Sequence, residues 1–144
     1  MTSKFAGLAL EVEKPSRMTI MHPLTNAPLR DKDGQEAWIE LYSSDSDPAR
    51  KHQRSAQRRR LASAGRRGRV KVTPEEMEAD GIDMLVAITA GWNLLDLSGK
   101  PLKVEFNQDN ARELYAEPGM SWLVEQIDTF ASERENFSKA SSKN

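Results

Sequence analysis

The chain has two imidazoles, His22 and His52, and no cysteine. Acid–base catalysis or nucleophile activation near neutral pH would draw first on those two side chains. His22 stands before Pro23 and His52 inside a run of arginines, and no nucleophile-elbow, phosphate-loop or dinucleotide-binding motif occurs anywhere. The chemistry on offer is therefore binding, and the expectation is a protein that is not an enzyme and carries no cofactor.

Two acidic clusters have the composition of metal sites. Asp31-x-Asp33-Gly34 starts like a calcium loop but lacks the third ligand before the glycine and the closing glutamate. Ser44-Asp45-Ser46-Asp47 reads as a turn running into a helix cap. Without cysteine, thiolate sites are excluded as well, so no metal is expected.

Charge is the strongest signal. The 144 residues carry 21 bases and 22 acids, a formal net charge of −1. Ten of the bases fall between Arg50 and Lys71, a stretch with no acid; the other eleven bases share the remainder with all 22 acids, leaving it at −11. The candidate partner-binding residues are Arg54, Arg58, Arg59, Arg60, Arg66, Arg67 and Arg69.

Three readings of this stretch compete. The arginines could neutralise phosphates, giving salt-sensitive nucleic-acid binding. Against that, no aromatic lies within Arg50–Lys71 to stack on a base, and a pI near 6.2 is low for a nucleic-acid module. They could form a solvated face paired with acids of the same chain, such as Glu75, Glu76 and Glu78. Or they could present an electrostatic surface to an acidic protein partner, the reading favoured here.

These residues need elements to hold them. Residues 1–16 show no sustained period and read as a flexible arm. Arg17–His22 and Ala37–Tyr42 alternate as strands, separated by the turn signal Asp31–Gly34, and form a small β-hairpin region over 17–46. Asp47-Pro48 starts the basic helix, with Asp47 as cap; it should stop at Gly65 and open into a hinge over 65–72. Thr73-Pro74-Glu75-Glu76 starts a second helix, ending at Gly91, with Met77, Met84, Leu85 and Ile88 on its buried face.

Leu94–Phe106 predicts a hairpin about Ser98-Gly99 with Leu95, Leu97, Leu102, Val104 and Phe106 on one face. Asn107 caps a helix to Ala116, Glu117-Pro118-Gly119 breaks the chain, and Met120–Asn136 forms the last helix around Leu123, Ile127 and Phe130. Trp92 and Trp122 are assigned to the core and Trp38 is left open. Residues 138–144 read as a flexible tail. The sum is a mainly α-helical α+β fold: about four helices with two short β-hairpins, the helices and second hairpin filling 47–137. No apolar run reaches membrane-spanning length, and the N-terminal one is too short for a signal peptide.

The order of three blocks resembles the small tail assembly chaperones of long-tailed bacteriophages and prophages. The first runs from His22-Pro23-Leu24-Thr25-Asn26 through Asp31–Gly34 and Trp38–Tyr42 to Ser44-Asp45-Ser46-Asp47 and the arginine-rich helix. The second is an acidic helix leading to Thr89-Ala90-Gly91-Trp92-Asn93 and the turn Gly99-Lys100-Pro101-Leu102. The third joins Phe106-Asn107, Asn110–Tyr115, Trp122–Phe130 and Glu135-Asn136-Phe137, so the resemblance spans about residues 18–137.

The resemblance implies a protein of the infected host's cytoplasm, expected to be absent from the mature virion. It implies binding to the tape measure protein, and to tail tube subunits, so that the tape measure stays soluble while the tail is built. Self-association is compatible with it, and in relatives the gene often yields a longer product by ribosomal frameshifting. The competing functions are a nucleic-acid-binding accessory protein and a structural tail or connector subunit.

Overall fold

In the computed structural model, which describes residues 4–10, 12–67 and 73–137, a three-stranded antiparallel sheet is backed by helices. Its strands are β1 (Ser16–Thr19), β2 (Trp38–Leu41) and β3 (Thr89–Asn93), in the spatial order β1-β2-β3. The helices are α1 (Asp47–Arg67), α2 (Pro74–Ile88), α3 (Gln108–Ala116) and α4 (Ser121–Ser132), followed by a 3-10 turn at Arg134–Phe137. The fold is thus α+β and mainly helical. Residue 11, the hinge positions 68–72, the tail 138–144 and the first three residues of the arm lie outside the described residues.

Period-two alternation puts Ile39 and Leu41 of β2 on the inner face, both fully buried, and Trp38 and Glu40 on the outer one. Met18 and Ile20 join them beneath a layer made by Leu85 and Ile88 of α2, Ala111 and Tyr115 of α3, and Leu123 and Ile127 of α4. On the outer face the Arg17 guanidinium lies 3.8 Å from the Trp38 ring centroid and pairs with Glu40 at 3.4 Å. The Gln126 carboxamide closes part of the β1 side. It accepts from Met21 N–H (3.0 Å) and donates to Met21 C=O (2.9 Å), standing in for a strand partner.

The second helix does not run to Gly91. It ends at Ile88, and Thr89–Asn93 pairs with β2, with Ala90 as the extra residue where the register shifts between Glu40 and Leu41. Thr89 makes the junction. Its hydroxyl donates to Leu85 C=O (2.6 Å), leaving its oxygen to accept from the Tyr115 hydroxyl at 2.7 Å. A hydroxyl has one proton, so Tyr115 must be the donor of the second bond.

Other boundaries move for local reasons. The cap of α1 is Ser46, whose hydroxyl accepts from Ala49 N–H at 3.4 Å; Asp47 lies one residue inside the helix and pairs with Lys51 at 3.0 Å. Gly65 does not stop α1, because its φ is not positive and the helix continues to Arg67. The arm reaches the body: Glu13 pairs with Arg50 and Ser16 donates to Asn136 C=O. The last helix ends at Ser132, where Asn136 Nδ2 donates to Phe130 C=O and Phe137 folds edge-on against Phe130. Thr73 and Asn107 cap α2 and α3 as the sequence predicts, accepting from Glu76 N–H (3.1 Å) and Asn110 N–H (2.7 Å).

Exposure corrects three apolar assignments. Met77 is 62% exposed, since the first turns of α2 stand clear of the core. The second hairpin is minimal, bridged at Leu95 and Pro101, and leaves Leu97, Leu102 and Val104 at 43–48% exposure. Trp92 and Trp122 are half-buried at the core's rim, Trp92 meeting Phe106 edge-on at 5.1 Å and donating to Val104 C=O.

The turn of that hairpin is locked to the first one. A Cβ on Gly99, at φ +91°, would lie 2.5 Å from the Arg30 carbonyl oxygen, whereas one on Gly34, at φ +84°, meets nothing within 4 Å. Gly34→Ala should therefore cost about 1 kcal/mol from left-handed backbone strain, and Gly99→Ala about 2–4 kcal/mol because main chain must also move. Urea midpoints of the two variants measure the difference. Burial pushes the Tyr115 phenol up to about 12. Its stabilising contribution is complete below pH 10 and is lost as pH rises from 10 to 12, a range worth about 2–3 kcal/mol. Tyr115→Phe should remove that alkaline slope from melting curves while costing about 1 kcal/mol at pH 7.

Candidate docking surface

The basic helix buries little. Ala49 and Ala56 are its buried residues, so its inner stripe is alanine, and Leu61 is left 59% exposed. That narrow stripe still lets α1 lie along α2, where the two inward arginines find one acid. Arg59 and Arg60 reach Asp80 at 3.4 and 2.7 Å, and the Asp80 side chain is only 19% exposed. The intramolecular acids that pair with this stretch are thus Asp80 of α2, with Glu13 and Asp47 near the start of α1, rather than Glu75, Glu76 or Glu78.

The outward arginines are a different population. Arg50, Arg54 and Arg58 are spaced four residues apart and all are exposed, which makes them neighbours on one helix face. Arg50 reaches Glu13 at 3.4 Å and Arg54 stands 4.0 Å from Asp47; Arg58 has no ion pair among the described residues. The Lys51 hydrogen bond, with the nearby Arg50 and Arg54 charges, holds the Asp47 carboxyl below the usual carboxylate range. Of the remaining candidates, Arg66 and Arg67 belong to the last turn of α1, and Arg69 lies outside the described residues.

The structure therefore divides the predicted site. Arg59 and Arg60 serve as a clamp between helices, while Arg50, Arg54 and Arg58 form a basic ladder on an exposed face, its first two members beside Glu13 and Asp47. Like charges four apart on a helix cost about 0.2–0.5 kcal/mol each, so the ladder is a small standing penalty in the free protein.

Two clefts flank this framework. One, of about 630 Å³, lies between α2 and the start of α4 and is lined by Gly81, Ile82, Met84, Met120, Val124 and Asp128, among others. Burial raises the Asp128 carboxyl. The other, of about 520 Å³, lies beside β1 and is lined by Met18, Thr19, Met21, Trp122 and Gln126, among others. Sequence reasoning missed both, because each joins segments about 30 or more residues apart. One signal was present: Gly81 sits inside a strong helical pattern, where glycine costs about 1 kcal/mol relative to alanine.

The histidines and the acidic turn have local duties. His22 Nδ1 accepts from Leu24 N–H at 3.1 Å, and His52 is half-buried in α1. Asp31 Oδ1 accepts from the N–H groups of Asp33 and Gln35, both at 2.9 Å, which spends that oxygen on its own turn. Among the described residues, no cluster of three or more His, Cys, Asp or Glu could hold a metal, and no helix is long and apolar enough to cross a membrane.

The division of the arginines has a measurable consequence. Asp80→Asn should lower stability by about 1 kcal/mol, a difference that 1 M NaCl largely removes, because the pairs are part-exposed. Arg58→Ala should stay within about 0.5 kcal/mol of the parent in the same denaturation experiment.

Comparison with protein-family models, curated proteins and solved structures finds no match.

Proposed function

We propose that this protein is a phage tail assembly chaperone that binds the tape measure protein, and tail tube subunits with it, by stoichiometric contact. It acts in the host cytoplasm and leaves before the particle is complete. The observation that carries the reading is the exposed face of Arg50, Arg54 and Arg58, where Arg58 makes no ion pair among the described residues, on a helix whose Arg59 and Arg60 pair with Asp80. A ladder left facing water is relieved by acidic groups on a partner. The ordered blocks from His22 to Phe137 support the same reading.

A holding function needs many modest contacts and quick release. An exposed charge surface gives fast, salt-sensitive association, since it steers encounter more than it adds affinity. The absence of aromatics from Arg50–Lys71 disfavours single-stranded nucleic acid as the partner of this surface.

Co-expression with a phage tape measure protein tests the proposal. The expected result is a soluble complex that survives purification in low salt and weakens about tenfold when Arg54 and Arg58 are both changed to alanine. Mass spectrometry of purified virions should find no stoichiometric copy. A tape measure protein that stays insoluble would overturn the reading. So would submicromolar DNA binding with a steep salt slope, abolished by changing Arg58, Arg59 and Arg60 to alanine.

A further inference from the structure

We propose that the cleft between α2 and α4 is a docking groove for a basic amphipathic helix of a protein partner. The inference deepens the chaperone reading by naming the helix chemistry the client must offer, and it rests on that reading only for the client's identity.

Two parallel stripes make the walls. Glu78, Gly81, Ile82 and Leu85 follow the i, i+3, i+4, i+7 spacing of one helix face on α2, and Met120, Val124 and Asp128 follow the i, i+4, i+8 spacing along α4. Each stripe is about 11–12 Å long, the rise of roughly two helical turns. Met84 and Met120 line the cleft with flexible thioethers, side chains that adjust to an irregular apolar surface.

Gly81 supplies the first specific argument. Glycine is among the least favourable residues inside a helix. Its φ here is not in the left-handed region, and a Cβ added to it meets nothing within 4 Å. Among the described residues, neither backbone conformation nor packing demands it. What a bare Cα does provide is close approach for another backbone at that wall of the groove.

Charge supplies the second. Among the described residues, Glu78, Glu117 and Asp128 line the cleft, and no Lys, Arg or His does. None of the three carboxylates makes an ion pair among the described residues. Burial already raises the Asp128 carboxyl, so a cation arriving there would relieve a real penalty. The complementary occupant is a helix with an apolar stripe flanked by Lys or Arg. The α1 helix of a second copy has the charge but lacks the stripe, because Leu61 is the one large apolar side chain from Asp47 to Arg67.

The probe is a fluorescein-labelled 18-residue helical peptide of Leu, Ala and Lys, compared by anisotropy with its Glu-for-Lys counterpart on the full chain. The Lys peptide should bind at least tenfold more tightly than the Glu peptide. Gly81→Leu, which fills the groove from a helix-favouring position, should weaken it tenfold or more. Gly81→Ala should raise the melting temperature and weaken binding far less than Gly81→Leu, and Asp128→Asn should weaken it three- to tenfold.

Equal binding of the two peptides, no binding of either, or full binding by a folded Gly81→Leu variant would each overturn the groove. A wild-type dimer in sedimentation velocity that Gly81→Leu dissolves would also overturn it, assigning the cleft to a second copy. Peptide binding that behaves as expected, alongside a tape measure protein that fails to co-purify, would uphold the groove and remove the client named above.

Discussion

Pairing of β2 on both edges is the constraint from which the rest of the structure follows. A four-residue strand with Ile39 and Leu41 wholly buried must satisfy its backbone on both sides and cover both side chains. The preceding chain supplies β1 through a near hairpin. The other partner has to come from 48 or more residues away, and Thr89–Asn93 is that segment. Helix α2 must then stop at Ile88, so the sheet decides where the helix ends. Thr89 performs the stop by binding Leu85 with its proton and Tyr115 with its oxygen, which fixes α3 against the same point.

That dependence explains what could be read from the chain alone. Caps and breakers are local chemistry, and Thr73, Asn107 and the turns at Asp31–Gly34 and Glu117–Gly119 were legible because their signals lie within four residues. The β1 and β2 strands were legible from alternation. The third strand was not: Thr-Ala-Gly-Trp following Met-Leu-Val-Ala-Ile continues an apolar helix pattern, and only the unpaired edge of β2 converts it. Met77 was misassigned for a related reason, since periodicity identifies a face but not how far along a helix the core extends.

The candidate site was legible in composition and not in arrangement. Charge counting finds the arginines but cannot separate Arg59 and Arg60, turned toward Asp80, from Arg58, turned to water. Helical phase alone places Arg58 with Arg50 and Arg54; finding the acid opposite the other two requires α2 to lie alongside. The predicted partners Glu75, Glu76 and Glu78 are closer in sequence than Asp80, yet Asp80 is the acid of α2 that reaches ion-pair distance of α1. Its 19% exposure makes it the better-shielded end of the clamp.

The two proposed contact surfaces carry opposite signs, and this bears on how a client could be held and released. The ladder on α1 offers cations on a helix with almost no apolar surface, whereas the α2–α4 groove offers apolar walls edged by carboxylates. An amphipathic helix carrying both signs could meet the groove through its apolar stripe and bases while acids elsewhere along it meet the ladder. Part-exposed contacts of this kind are each worth about 1 kcal/mol or less. Affinity would then rest on the simultaneous engagement of both surfaces, as in any bivalent contact. Displacing either end would loosen the whole, which is the behaviour that the proposed hand-over of a client would require.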